Sequence, residues 1–207
     1  NAATALGYHQ SEHAVNALIE VLKNPEPFVR RSVVEALGNH SSEAAISALI
    51  RILNEDFDAR TRTIAAKALG KTITDNVEHA LIEALKDSVP YVRQSAVEAL
   101  GNHKSEVAVS ELIRMVKDPD VSVRMSAVQV LDNHQSKQAT TALVDAMNDP
   151  YLFVRIYAAV ALVKRTPLEA AGTTLIDALD YDYGLHMGSG IIDMIKNELP
   201  RPRDHRS

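Results

Sequence analysis

The chain has 207 residues, 46% hydrophobic and 24% charged, with a formal net charge of −5 and no cysteine. That length can bury a sizeable core, and the mild acidity argues against a nucleic-acid binder, whose footprint is a basic stripe. Without cysteine there are no disulfides, thiolate zinc sites, iron–sulfur clusters or cysteine nucleophiles, and no apolar run approaches the roughly 18 residues of a membrane span.

The opening Asn1-Ala2-Ala3-Thr4-Ala5-Leu6-Gly7 reads as the tail of a helix, half of a repeat over residues 1–9, which implies a longer parent chain. Ser11 then opens a first helix predicted over 11–23. Its hydroxyl can cap the free amides, Glu12 meets the positive end of the helix dipole, and apolar residues follow at helical spacing. Asn24 and Pro25 end this helix. A second helix is predicted over 26–38, with Gly38 suited to a left-handed residue just past its end. The same unit returns at 42–54 and 58–70, 74–86 and 89–101, 105–117 and 120–132, and 136–148 and 151–165. The capping residue recurs as Ser42, Thr74, Ser105 and Ser136, and the glycine as Gly70 and Gly101. A degenerate pair follows at 167–180 and 184–198, where Asp180 keeps the acidic position but His186 replaces the arginine.

Arg30, Arg62, Arg93, Arg124 and Arg155 mark the period, which is 31 or 32 residues. Six positions earlier stand Asn24, Asp56, Asp87, Asp118 and Asp149; seven later stand Leu37, Leu69, Leu100, Leu131 and Leu162. Such self-similarity is the signature of stacked supersecondary units. Neither helix of a pair can bury its apolar face alone, so consecutive pairs must cover one another. The expected fold is an all-α, right-handed superhelix of about six helix pairs. It forms a single solenoid over 1–199, with a C-terminal cap at 167–199 and a flexible Pro/Arg tail at 200–207.

The pattern Asp-Pro…Val-Arg…Ala-Leu-Gly, carried by Asp118-Pro119, Val92-Arg93 and Ala99-Leu100-Gly101 among others, resembles HEAT repeats. It is most similar to the short HEAT-like repeats found in bilin lyase subunits. The resemblance covers nearly the whole chain and implies a solenoid. The family hosts scaffolds, transport factors, lyase subunits and a few enzymes.

An acid and a base recurring in register invite a catalytic reading, yet a catalytic site occurs once and this pattern occurs five times. In HEAT-like arrays such arginines reach turn carbonyls and the aspartate of their own or a neighbouring repeat. Asp87, Arg93, Asp118, Arg124, Asp149 and Arg155 therefore read as a structural ladder of charge-assisted bonds. His9, His40, His103 and His134 form a second series in the turns between repeats. Zinc ligands must converge to about 2 Å, whereas adjacent repeats lie roughly 10 Å apart. These histidines are expected to pack under the turn and bond a carbonyl. The HEAT-like deoxyhypusine hydroxylases bind two irons through His-Glu dipeptides. Here Glu12-His13 and Glu78-His79 reverse that order and fall out of register, so no metal site is expected. The HEAT-like alkylpurine glycosylases need aromatic residues and a basic cleft, whereas this chain has no tryptophan and a net negative charge. There is no glycine-rich phosphate loop and no nucleophile motif.

Partner specificity is expected on a stripe of each second helix, at positions two before, one after and five after the arginine. In order these are Phe28/Arg31/Glu35, Arg60/Thr63/Lys67, Tyr91/Gln94/Glu98, Ser122/Met125/Gln129 and Phe153/Ile156/Val160. The candidate partner-binding residues are Phe28, Arg31, Tyr91, Met125, Phe153 and Ile156. The fifth stripe is wholly apolar, which marks either an open interface or a face lying under the final segment. The reading is a non-enzymatic protein–protein interaction scaffold, monomeric, with a protein partner and no cofactor, nucleic acid or membrane insertion. The resemblance alone supplies the alternative, a subunit or accessory factor of a bilin or other chromophore lyase or a related modifying enzyme. The compartment stays open, with the cytoplasm slightly favoured.

Overall fold

The computed structural model describes Gly7, residues 11–163 and Arg165. Within them ten helices alternate, and there is no strand among the described residues. The first helices of the pairs are α1 (Glu12–Val21), α3 (Glu43–Glu55), α5 (Asp75–Ala84), α7 (Glu106–Met115) and α9 (Lys137–Ala146). The second helices are α2 (Pro27–Leu37), α4 (Ala59–Leu69), α6 (Pro90–Leu100), α8 (Val121–Leu131) and α10 (Leu152–Val163). Every element predicted between residues 11 and 165 is present, its ends within two residues of the expected ones. The predicted pair at 167–180 and 184–198, the tail at 200–207 and nearly all of the half repeat at 1–9 lie outside the described residues.

Local chemistry starts each element. Ser11, Ser42, Ser105 and Ser136 accept hydrogen bonds from the amides of Ala14, Ala45, Ala108 and Ala139 at 3.0–3.3 Å. Thr74 departs from the expectation and caps nothing. Its hydroxyl donates instead to Asn76 Oδ1 at 2.6 Å, and that oxygen also accepts from the Val77 amide. Asn side chains compete for local groups in this way. Second helices begin on Pro27 and Pro90, where no amide bond is lost, or on the carboxylates of Asp58 and Asp120.

Each second helix packs on its own first helix and on the neighbouring second helices among the described residues. The contact between consecutive second helices uses small residues, Gly38 against Ala68 and Gly70 against Ala99, and Leu37, Leu69, Leu100 and Leu131 are fully buried in the core. Each such leucine contributes about 2–3 kcal/mol by leaving water. The second helices approach one another more closely than the first helices do, which places them on the inner, concave side.

The glycines that end these helices are not left-handed. Gly38, Gly70 and Gly101 have φ of −63°, −60° and −56°, ordinary right-handed values. Close approach is what selects glycine here. A Cβ on Gly38 would stand 2.9 Å from Ala68 Cβ, and one on Gly70 would stand 3.0 Å from both Ala99 Cα and Cβ. Gly7 meets Ala36 in the same way at 3.1 Å.

Candidate functional site

The repeated arginines form one edge of the array. Nε and Nη2 of each fork onto both carboxylate oxygens of the next repeat's aspartate. The pairs are Arg30 with Asp56 (2.6 and 2.9 Å), Arg62 with Asp87 (2.7 and 2.9 Å), Arg93 with Asp118 (2.8 and 2.7 Å) and Arg124 with Asp149 (2.7 and 3.1 Å). Nη1 meanwhile donates to the carbonyl six residues back in the arginine's own turn, at 2.7–3.0 Å. Arg155 makes this last bond to the Asp149 carbonyl, while Asp180 lies outside the described residues. Each aspartate is itself held, because its Oδ1 accepts the amide two residues on at 2.8 Å.

These pairs are largely dry, with side-chain exposures of 3–13%. Hydrogen bonding to the aspartates raises the pKa of Arg30, Arg62, Arg93 and Arg124 further, with burial opposing. Burial pushes the Asp87 carboxyl up, but its bonds from Arg62 and the Val89 amide and the nearby guanidinium charges bring it below the usual carboxylate value. With both ends of each pair saturated, the ladder has no free acid or base to offer a substrate.

The second-helix face is different. Phe28 is 60% exposed and Tyr91 45%; Arg60, Glu35, Lys67 and Glu98 are also exposed. Arg31 is half-buried and reaches Asp58 at 3.3 Å, and Met125 is half-buried against the core. The fifth stripe is not an open groove. Ile156 has no exposed surface, Val160 is buried, and Phe153 packs partly buried on the core. Apart from Arg155 on the ladder edge, α10, Leu-Phe-Val-Arg-Ile-Tyr-Ala-Ala-Val-Ala-Leu-Val, is apolar nearly all round, as suits a helix in an interior. Ile156 therefore leaves the set of accessible partner contacts, and of the six candidates Phe28 and Tyr91 are the exposed ones.

Several polar contacts carry no period and so were not foreseen. His103 Nδ1 faces Glu78 at 3.1 Å rather than a carbonyl, and Ser105 donates to the other oxygen of Glu78 at 2.6 Å. Arg165 occupies the turn position filled by histidine in other repeats, and its Nη2 donates to the carbonyls of Leu131 and Asp132 at 2.6 and 2.7 Å. Outside the stripe, Phe57 is 76% exposed and lies 4.4 Å from the Arg30 guanidinium, a cation–π stack. The N-terminal position of Asp58 and Asp120 was the one legible signal for their capping role.

His13 and His79 are exposed on first helices, and no group of three potential ligands able to hold a metal exists among the described residues. A groove of about 760 Å³ between the starts of α1 and α3 is lined by serines, Glu12, Glu43 and His40. A shallower hollow of about 350 Å³ beside Phe57 is walled by ladder members Arg30 and Asp56 together with Arg51 and Glu55. No described helix is long and apolar enough to cross a membrane.

Alternating helices, a saturated Arg–Asp edge and a variable inner face define an α-solenoid of short repeats. The family model of HEAT repeats matches residues 1–70, 78–164 and 111–183, and the chain belongs to that family. No curated protein matches it in sequence. Among solved structures it is similar to YibA of E. coli, at 18% identity and TM-score 0.66, over 97% of this chain and 86% of that one. It is also similar to the complex of CpcE and CpcF of phycocyanin lyase from Nostoc sp. PCC7120, at 23% identity and TM-score 0.60, over 73% and 99%. Human deoxyhypusine hydroxylase aligns at 22% identity and TM-score 0.50, over 77% and 76%. These likenesses are likenesses of fold.

Proposed function

We propose that this chain is a non-enzymatic protein-interaction scaffold that binds its partner on the exposed face of its second helices. The observation that carries this reading is the contrast between the two polar surfaces. Every ladder arginine with a described aspartate is consumed in internal bonds, while Phe28 and Tyr91 are exposed on the second-helix face. Exposed aromatic side chains on a preorganised surface are the usual anchors of protein interfaces. A photo-crosslinking residue placed at Tyr91 should capture one discrete protein from lysate of the native organism. The same residue at Glu43, on the first-helix side, should not. Equal labelling from both positions, or none from either, would sink the scaffold reading.

A second reading, an accessory subunit of a chromophore lyase, is supported by the fold likeness to the CpcE–CpcF complex. It needs a deep pocket with clustered Arg, Asp, Tyr or His beyond the ladder, and neither the serine-lined groove nor the hollow beside Phe57 has that make-up. Mixing the chain with a linear tetrapyrrole tests it, since a bound pigment shifts and sharpens its visible absorption band.

A further inference from the structure

Within the second-helix face, three consecutive repeats differ from the rest in one register. Two positions before the ladder arginine stand Phe28, Arg60 and Tyr91, all exposed. Arg60 has no bonding partner among the described residues, unlike the arginines of the ladder two positions further on. Five positions after the ladder arginine, the same repeats carry Glu35, Lys67 and Glu98, again exposed. Seven residues of helix separate the two registers by about 10 Å. The inner face thus bears two parallel rows across the helices, one aromatic–cation–aromatic and one anion–cation–anion.

We propose that the row Phe28–Arg60–Tyr91 is a docking track for an extended, polyproline-II-type segment of a partner protein. The segment carries one acidic side chain flanked by an apolar side chain three residues to either side. The inference rests on the scaffold reading and specifies its ligand. Spacing selects the backbone conformation. Consecutive second helices are in contact, packed helices lie about 8–10 Å apart axis to axis, and a polyproline-II helix brings every third side chain to the same face with a repeat of about 9.3 Å. A β-strand returns a side chain to one face every second residue, at about 6.6 Å or 13 Å, and fits neither step. Charge selects the sequence. Arg60 supplies an exposed guanidinium, not engaged by another protein group among the described residues, for a carboxylate, and the two aromatics take apolar side chains, as the aromatic grooves of other proline-rich recognition sites do. Glu35 and Glu98 repel further carboxylates beside the apolar anchors, so a single central acid is preferred over an acidic run.

The probe is a fluorescein-labelled peptide, Leu-Pro-Pro-Glu-Pro-Pro-Leu, titrated with the full chain and followed by anisotropy. Its companions carry Lys or Gln in place of Glu. The expected result is saturable binding of the Glu peptide and at least ten-fold weaker binding of the Lys peptide. Arg60→Glu should invert that preference, and Phe28→Ala or Tyr91→Ala should each weaken the Glu peptide at least ten-fold. Arg51→Glu, an exposed first-helix position, should change nothing. Circular dichroism and melting temperature confirm that each variant is folded. Equal affinity for the Glu and Lys peptides, no binding of any peptide, or discrimination that survives Arg60→Glu overturns the proposal. A concentration-dependent dimer abolished by Arg60→Glu also overturns it, since a second copy would then own the row. If the peptides fail while crosslinking from Tyr91 still captures a partner, the scaffold reading stands and this ligand is wrong. If both fail, both fall.

Discussion

Arg124 shows how much one side chain can hold. Its fork spans two repeats, from the Asp118 carbonyl to both oxygens of Asp149, whose side chain is 6% exposed. Arg124→Ala should cost about 1.5–3 kcal/mol in urea unfolding, the range for losing a hydrogen bond to a charged group. Arg124→Lys should recover little, because an ammonium cannot serve a carboxylate and a carbonyl with the planar fork. Unfolding unchanged by Arg124→Ala would show that the rung carries no stability. His134 acts through its protonation. Burial and the charges of Lys104 and Arg165 hold it below the ordinary imidazole value, against a hydrogen bond with the Gly101 backbone that raises it. Its Nε2 is buried without a partner, as are those of His40 and His103. Folded His134 takes up its proton at lower pH than the unfolded chain, which protonates at about pH 6.5. The stability tied to it is complete above about pH 6.5 and declines as pH falls below, because the unfolded state binds the extra proton. The melting temperature should drop from pH 7 to pH 5, and the drop should be shallower in His134→Gln. Identical slopes would remove His134 from the account. Loss of stability near pH 4 and below belongs instead to carboxylates such as Asp87, whose lowered pKa makes protonation costly to the fold.

Between helices, packing sets the rules. At Gly38 alanine would adopt the backbone without strain, and on an exposed helix it would gain up to about 1 kcal/mol. Here its Cβ meets Ala68 Cβ at 2.9 Å, so Gly38→Ala should destabilise by about 1–3 kcal/mol, as overpacking does. Adding Ala68→Gly should return part of that loss, and a double-mutant cycle with no coupling would refute the contact. For α10 the structure reverses the role expected of Ile156. With no exposed surface, Ile156→Ala should cost about 2–5 kcal/mol, whereas Tyr91→Ala should stay within about 0.5 kcal/mol. A comparable fall in melting temperature for both would mean that Tyr91 is not free in solution.

Across the whole molecule, what repeats was legible and what occurs once was not. The arginine period located ten helices because the same packing problem is solved five times with the same residues. Sequence alone did not say which aspartate each arginine takes, since that depends on how far one turn overhangs the next. Glycine was misread for a related reason: the letter is compatible with a left-handed turn or with crowding, and only φ and the position of Ala68 decide. Ile156 and Met125 occupy one register, yet the first is sealed and the second half-open. Register fixes the direction in which a side chain points and leaves its cover undetermined. Glu78 with His103 and Ser105 was invisible because no other repeat places a carboxylate there.

The two edges of the stack are fastened unequally. Along the turns within repeats, each Arg–Asp fork has fixed length at both ends, since the aspartate is pinned by its own turn and the arginine by its own carbonyls. Along the turns between repeats, the fastening changes from one to the next: a buried histidine here, an Asn102 amide on the Gly70 carbonyl there, a Glu78–His103 contact once, and Arg165 on the Leu131 and Asp132 carbonyls at the last. Such an array flexes as a fan does, pivoting about a nearly inextensible rib while the opposite margin spreads. Spin labels on successive turns of the ladder edge should give narrow distance distributions, and labels on the histidine edge broader ones. A partner laid along the second helices would then be gripped or released by changes in opening angle, with every helix kept intact.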